Sequence, residues 1–221
     1  MRLPDKAREK ATSLRFRYRW VRRLTQLQLG LVLYGLSMAL MIRSRLGLDP
    51  WDVFHQGIAK RTHLSFGTVT IIVGAAVLLL WIPLRQRPGV GTLSNVVVVG
   101  VSVDVFLWLM PPAHAMWLRI TLLIAGIVLN GVATGMYIGA RLGPGPRDGL
   151  MTGLVARTGR SVRLIRTVIE VTVLVTGFLL GGMVGVATVL YAVSIGPLTQ
   201  LFLPLFWVRE REPAAIPATL H

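Results

Sequence analysis

At 221 residues, 53% hydrophobic and 15% charged, with a mean hydropathy of +0.64, the chain lacks the polar surface of a soluble globular domain and belongs in a bilayer. It contains no cysteine, which excludes disulfides, thiolate metal sites and cysteine nucleophiles. The net charge of +15 invites a nucleic-acid partner, but residues 1–23 hold nine Lys and Arg against Asp5 and Glu9, a net +7 just before the first apolar stretch. Such a run is a cytoplasmic anchor, gaining about 1 kcal/mol per residue from anionic headgroups, so the expected partner is lipid and not nucleic acid.

Six nearly uncharged stretches follow, at 24–42, 64–84, 92–110, 117–138, 162–180 and 184–208. Each has the roughly 18–25 residues that cross a hydrocarbon core of about 30 Å as a helix. No small-x-small cleavage site follows the first, which therefore reads as an uncleaved helix. Residues 209–221, with two prolines and small side chains, read as a flexible tail. Trp81, Trp108, Trp117 and Trp207 fall near helix ends, where tryptophan anchors at the headgroups.

The chain repeats itself at a spacing of 96 residues. Arg45-Leu46-Gly47 recurs as Arg141-Leu142-Gly143, and Pro50, Asp52, Gly57, Arg61, Thr62 and Ser65 recur as Pro146, Asp148, Gly153, Arg157, Thr158 and Ser161. The register holds through Gly89, Thr92, Gly100 and Phe106, matched by Gly185, Thr188, Gly196 and Phe202. The expected architecture is an all-α membrane protein with repeat 1 at 24–111 and repeat 2 at 117–208. Three crossings per repeat make the halves inverted, the internal symmetry on which many transporters are built. With the N-terminus inside, Arg85, Arg87, the 141–166 stretch and Arg209 face the cytoplasm, as the positive-inside rule requires. The basic residues at 43–61 face outward, because one of two equivalent loops in an inverted pair must.

Between the first and second crossings of each repeat lies a segment too short and too polar to span, at 47–62 and 143–158. Pro50 and Pro146 suit the first position of a helix, and Asp52 and Asp148 complement its positive end. About 11 residues of helix give roughly 17 Å, near half the core. Each segment is either an amphipathic helix lying in the interface or a re-entrant half-helix whose N-terminus points to the midplane and attracts an anionic group.

The motif Arg-Leu-Gly-x-x-Pro-x-Asp at 45–52 and 141–148, followed by Gly57 and Gly153 and by Ser194-Ile195-Gly196-Pro197-Leu198, resembles the YczE/YitT-type family of bacterial multipass membrane proteins. The resemblance covers about residues 24–208 and implies a multi-pass protein of the bacterial plasma membrane, with both termini cytoplasmic. The first half departs from it, with Val101 where the second has Pro197.

The leading expectation is a small-solute transporter, with an anionic or zwitterionic solute held between the repeats by Arg45, Arg141, Asp52, Asp148, Gly143 and Gly145. Arg45 and Arg141 read either as bidentate anion ligands or as snorkelling interfacial arginines. Asp104 and Glu170 lie inside apolar stretches, where a charge costs at least about 2.5 kcal/mol. Each is either a structural partner of a nearby arginine, Arg166 for Glu170, or a coupling group. No catalytic motif, clustered metal-ligand set or cofactor motif appears, so no enzyme is expected. The alternative is a non-transporting scaffold or regulatory subunit that holds a partner through the basic N-terminus; the oligomeric state stays open.

Overall fold

The computed structural model describes the chain from Asp5 to Val208, with side chains from Trp20 onward; the expected C-terminal tail and the first four residues lie outside the described residues. Within them there are eight α-helices and no strand: α1 (Asp5–Ser44), α2 (Pro50–Thr62), α3 (Phe66–Leu84), α4 (Val90–Leu109), α5 (Met116–Gly139), α6 (Pro146–Thr158), α7 (Val162–Leu179) and α8 (Val186–Phe206). Five are long and apolar enough to cross a membrane: the Trp20–Ser44 part of α1, and α3, α4, α5 and α8. The expected sixth, α7, carries Arg163, Arg166 and Glu170 within its 18 residues. Large apolar side chains cover the outside of the bundle, Leu79 66% and Val193 70% exposed among them, a surface that only lipid or another protein would cover.

The doubling in the sequence is a doubling of elements. Helices α2 and α6 begin at Pro50 and Pro146, α3 and α7 at Phe66 and Val162, and α4 and α8 at Val90 and Val186, all at the 96-residue spacing. The left-handed positions recur as well: Arg45 with Arg141, Gly47 with Gly143, His63 with Gly159, and Arg85 with Gly181. Asp49, Ser65 and Ser161 cap their helices by accepting backbone N–H groups, and His63 and Gly159 close α2 and α6 in the left-handed conformation.

Contacts between the halves are reciprocal. The Arg23 guanidinium donates to the Ala140 carbonyl at 2.8 Å, and Arg119, its counterpart, donates to Ser44 at 2.7 Å. Gly91 N donates to Leu142 O at 2.8 Å and Ala187 N to Leu46 O at 3.0 Å. Gly47 (φ +118) and Gly143 (φ +128) adopt backbone closed to other residues. A Cβ at Gly47 would stand 2.7 Å from Gly185 N, and one at Gly143 would stand 2.8 Å from Thr92 Oγ1, so each glycine lets the chain lie against the other half's last helix. The short helices are exchanged too: α2 packs on α7, and α6 on α3.

The reciprocity fails in one place. Helices α3 and α4 pack closely, whereas α7 and α8, their counterparts, do not. The α3–α4 seam is so tight that a Cβ on Gly67 would fall 1.9 Å from the Gly100 carbonyl, while Gly196, the counterpart of Gly100, has open space around its Cβ position.

Trp81 is not the interfacial anchor its position near a helix end predicts: it is 1% exposed, and its Nε1 donates to the Pro146 carbonyl at 3.1 Å. Its ring fills the space above Gly149, where a Cβ would sit 2.0 Å from Cζ2. Trp108 and Trp117, 84% and 71% exposed, keep their expected places. Overpacking a filled site costs about 1–3 kcal/mol, so Gly149→Ala is expected to lower the thermal midpoint in detergent. Trp81→Phe in the same chain should recover part of the loss, by removing the atoms in the way.

Candidate functional site

The sites form where the N-termini of α2 and α6 meet. Proline at the first turn starts each helix without sacrificing a hydrogen bond, and the 45–49 and 141–145 connections bring the two starts together. Arg147 Nη1 lies 3.7 Å from Asp49 Oδ2, and Nη2 lies 3.5 Å from Asp52 Oδ1. The guanidinium carbon stands over the Trp51 ring at 5.0 Å from its centroid. Both aspartates are buried, whereas the Arg147 side chain is 28% exposed because it faces a cavity.

Behind this cluster Asp49 Oδ1 accepts Asp52 N at 2.8 Å, capping α2. His55 Nδ1 lies 3.4 Å from Asp52 Oδ1. Asp52 Oδ2 and His55 Nδ1 are buried with no hydrogen-bond partner among the described residues, an arrangement that costs about 1–3 kcal/mol per group unless a proton or ligand relieves it. Burial pushes Asp49 up to about 6, with Asp52 adding to the rise and Arg147 opposing it. Burial likewise pushes Asp52 up to about 6 against Arg147. Burial and Arg147 push His55 down to about 3, so the imidazole is neutral. Burial works against the Arg147 charge, but Asp49, helped by Asp52, more than offsets it and holds the guanidinium above its ordinary value.

Two cavities flank Arg147. The larger, about 310 Å³, lies towards α7 and α8 and is lined by Asp49, Trp51, Arg166, Ile169, Glu170 and Tyr191 among others. The smaller, about 90 Å³, lies towards α3 and α4 and is lined by Gly145, Arg147, Thr70, Val73, Gly74 and Asn95 among others. These six pairs are related by the 96-residue spacing, so the cavities are one site built twice: larger beside the parted α7 and α8, and smaller beside the packed α3 and α4. Tyr34, Tyr137, Trp51, Arg147 and Asp148 border both.

The residues singled out in the sequence divide accordingly. Asp148 borders both cavities and accepts the Tyr137 hydroxyl at 2.7 Å. Asp52 stands in the cluster behind them, Gly145 caps α6 against the smaller cavity, and Gly143 serves the packing against α4 described above. Glu170 lines the larger cavity and accepts from Arg166 at 2.8 Å, the i, i+4 pair that its spacing foretells.

Arg45 and Arg141 are placed elsewhere. Both are exposed, in left-handed turns at the ends of α1 and α5, and line neither cavity; Arg141 stacks over Trp207 at 5.3 Å. Asp104 lies only five residues from the end of α4, where it accepts Gly67 N at 2.7 Å and the Ser65 hydroxyl. It closes the start of α3 onto α4, and lines neither cavity.

Arg147, Asp49, His55 and Trp51 are the site members that the sequence did not single out. The available signal was asymmetry: Arg147 occupies the repeat position of Trp51, and Asp49 that of Gly145.

Eight packed helices with a lipid-facing apolar exterior and a charged interior cluster define a multipass membrane protein. The match to the family model described as a family of unknown function (DUF6198) runs over residues 21–204, and the chain belongs to that family. It is 40% identical over 174 residues to an uncharacterised protein of Haemophilus influenzae, covering 79% of this chain and 80% of that one. It is 33% identical to the uncharacterised membrane protein YczE of Bacillus subtilis, over 86% of this chain and 92% of the relative. To the uncharacterised protein YyaS of the same organism it is 27% identical, over 80% and 90%. No solved structure matches.

Proposed function

We propose that the protein is a small-solute transporter that crosses the membrane six times as two inverted halves, α7 being the sixth crossing and α2 and α6 re-entrant. The single observation that carries this reading is the pair of repeat-related cavities on either side of Arg147, the smaller beside the packed α3 and α4 and the larger beside the parted α7 and α8. A solute site at the meeting of broken helices, reached alternately by the movement of one half against the other, is how inverted repeats transport. With the basic N-terminus in the cytoplasm, the start of α7 and the end of α8 are cytoplasmic, so the larger cavity opens inward.

The closed side supplies its own latch. Asp104 ties α4 to Ser65 and Gly67 at the start of α3. The counterparts are Gln200, which lines the open cavity, Ser161, which caps α7, and Arg163. In the opposite state Gln200 is expected to take the place at Ser161 and Arg163 that Asp104 holds at Ser65 and Gly67.

The absence of native cysteine makes the test direct. Thr199→Cys, in the larger cavity, should react with an impermeant maleimide from the cytoplasmic face of inverted vesicles, while Thr70→Cys, 8% exposed in the smaller one, should react far more slowly from either face. Equal labelling of both from both faces would contradict a gated path.

A further inference from the structure

The unpartnered atoms at the centre of the molecule bear on what the site takes. Asp49 and Asp52 present two carboxyl groups to the one Arg147 guanidinium, and Asp148 adds a third to the cavity wall, while Arg166 and Glu170 are paired with each other. The only other ionisable groups on the cavity walls are Tyr34 of α1, Tyr137 of α5, Tyr191 of α8 and the neutral His55 of α2. α3 and α4 contribute only Thr70, Asn95 and apolar residues there. The site therefore has more acid than base. Excess negative charge in a medium that solvates it poorly is neutralised by a proton or by a bound cation. Asp52 Oδ2, fully buried beside Arg147 and without a partner, marks where that neutralisation is missing.

The walls also fit a cation. Trp51 already carries the Arg147 guanidinium on its face, and Tyr34, Tyr137 and Tyr191 join it in bordering the larger cavity, aromatic residues of the kind whose ring faces attract ammonium and guanidinium groups. An anionic solute, by contrast, would meet Asp49, Asp148 and Glu170 with both arginines already engaged.

Resting on the transport reading above, we infer that the Asp49–Asp52 pair is an exchange site at which a proton and a cationic or zwitterionic organic solute compete for the same carboxylates. The balance is simple: when the cation of an amine or guanidine enters, the carboxylic acid gives up its proton to solvent, and when the cation leaves, the proton returns. The elevated position of both carboxyl groups, about 6, places the exchange near neutral pH. Proton occupancy falls as pH rises through that value, so cation binding strengthens with rising pH and is lost as pH falls.

Methylguanidinium chloride at millimolar concentration is a suitable probe, because it reproduces the group that the protein itself places there. Added to purified protein in weakly buffered detergent near pH 6, it should release protons to an indicator dye. Asp49→Asn and Asp52→Asn, shown to be folded by their elution volume, should each cut the release by about half or more, since the amide has no proton to exchange. The inference is overturned by equal release from wild type and both variants, by no release from wild type, or by proton uptake with benzoate while methylguanidinium stays silent. None of these outcomes touches the gating of the two cavities. Unequal cysteine labelling without proton release would leave the transport reading standing and remove this one.

Discussion

Arg147→Ala is expected to be the most damaging single substitution in the protein. The guanidinium faces two buried carboxylates at 3.5 and 3.7 Å, and removing one partner of a buried ionic cluster leaves the other charge uncompensated, at about 3–5 kcal/mol. The lower end applies here, because the Arg147 side chain keeps 28% of its exposure and water can reach the gap. The loss should be pH-dependent with a definite sign. Without Arg147 the carboxyls rise further above their ordinary value of 3.8, so the folded protein favours their protonated forms. The variant is then closest to wild type in acid and falls away as pH rises. Asp52→Asn placed in the Arg147→Ala chain should restore much of the thermal midpoint, by removing the orphaned charge. A purely packing role for Arg147 predicts no such rescue.

The second large effect concerns Asp104. Were it a coupling carboxylate, Asp104→Asn would abolish function as thoroughly as Asp104→Ala. Its observed role is to accept Gly67 N–H and the Ser65 hydroxyl, and an amide oxygen can still accept. Loss of a helix-capping acceptor costs about 0.5–2 kcal/mol, and each 1.4 kcal/mol is tenfold in an equilibrium. Asp104→Ala should therefore raise the labelling rate of Thr70→Cys by roughly tenfold as α4 parts from α3, while Asp104→Asn should change it by no more than about a third of that. Equal effects of the two variants would return Asp104 to a charge-dependent role.

The features legible in the sequence are those that backbone geometry imposes. Gly47 and Gly143 are doubled because both loops need positive φ, and Pro50 and Pro146 because both short helices begin there; these recur at 96 residues and mark the elements that follow them to within a few residues, whereas α1 begins at Asp5, well before the apolar stretch at 24–42. Arg147 was not legible, because its meaning arises only when the start of α6 is laid beside that of α2, a contact between residues 95 apart. Trp81 differs from its expected place for the same reason: the hydrogen-bond acceptor and the close packing that bury it come from Pro146 and Gly149 in the other half. Asp104 lies inside an apolar stretch, yet its place there matters less than the packing of α4 on α3, which brings it to the Gly67 N–H and the Ser65 hydroxyl. Trp51 and Arg147 in one repeat position, and Asp49 and Gly145 in another, show that the halves share a scaffold and divide the chemistry.

Transport as proposed requires that α3–α4 and α7–α8 open by turns. Thr68 and Val105 on the closed side are exposed, as are their counterparts Leu164 and Leu201, and in a chain without native cysteine each pair can carry two spin labels. In lipid nanodiscs at neutral pH, pulsed dipolar spectroscopy should find the 68–105 pair short and the 164–201 pair longer. On acidification or addition of methylguanidinium, a second population should appear in which the order is reversed. Two fixed distances, unchanged by either treatment, would contradict alternating access and leave a static membrane scaffold.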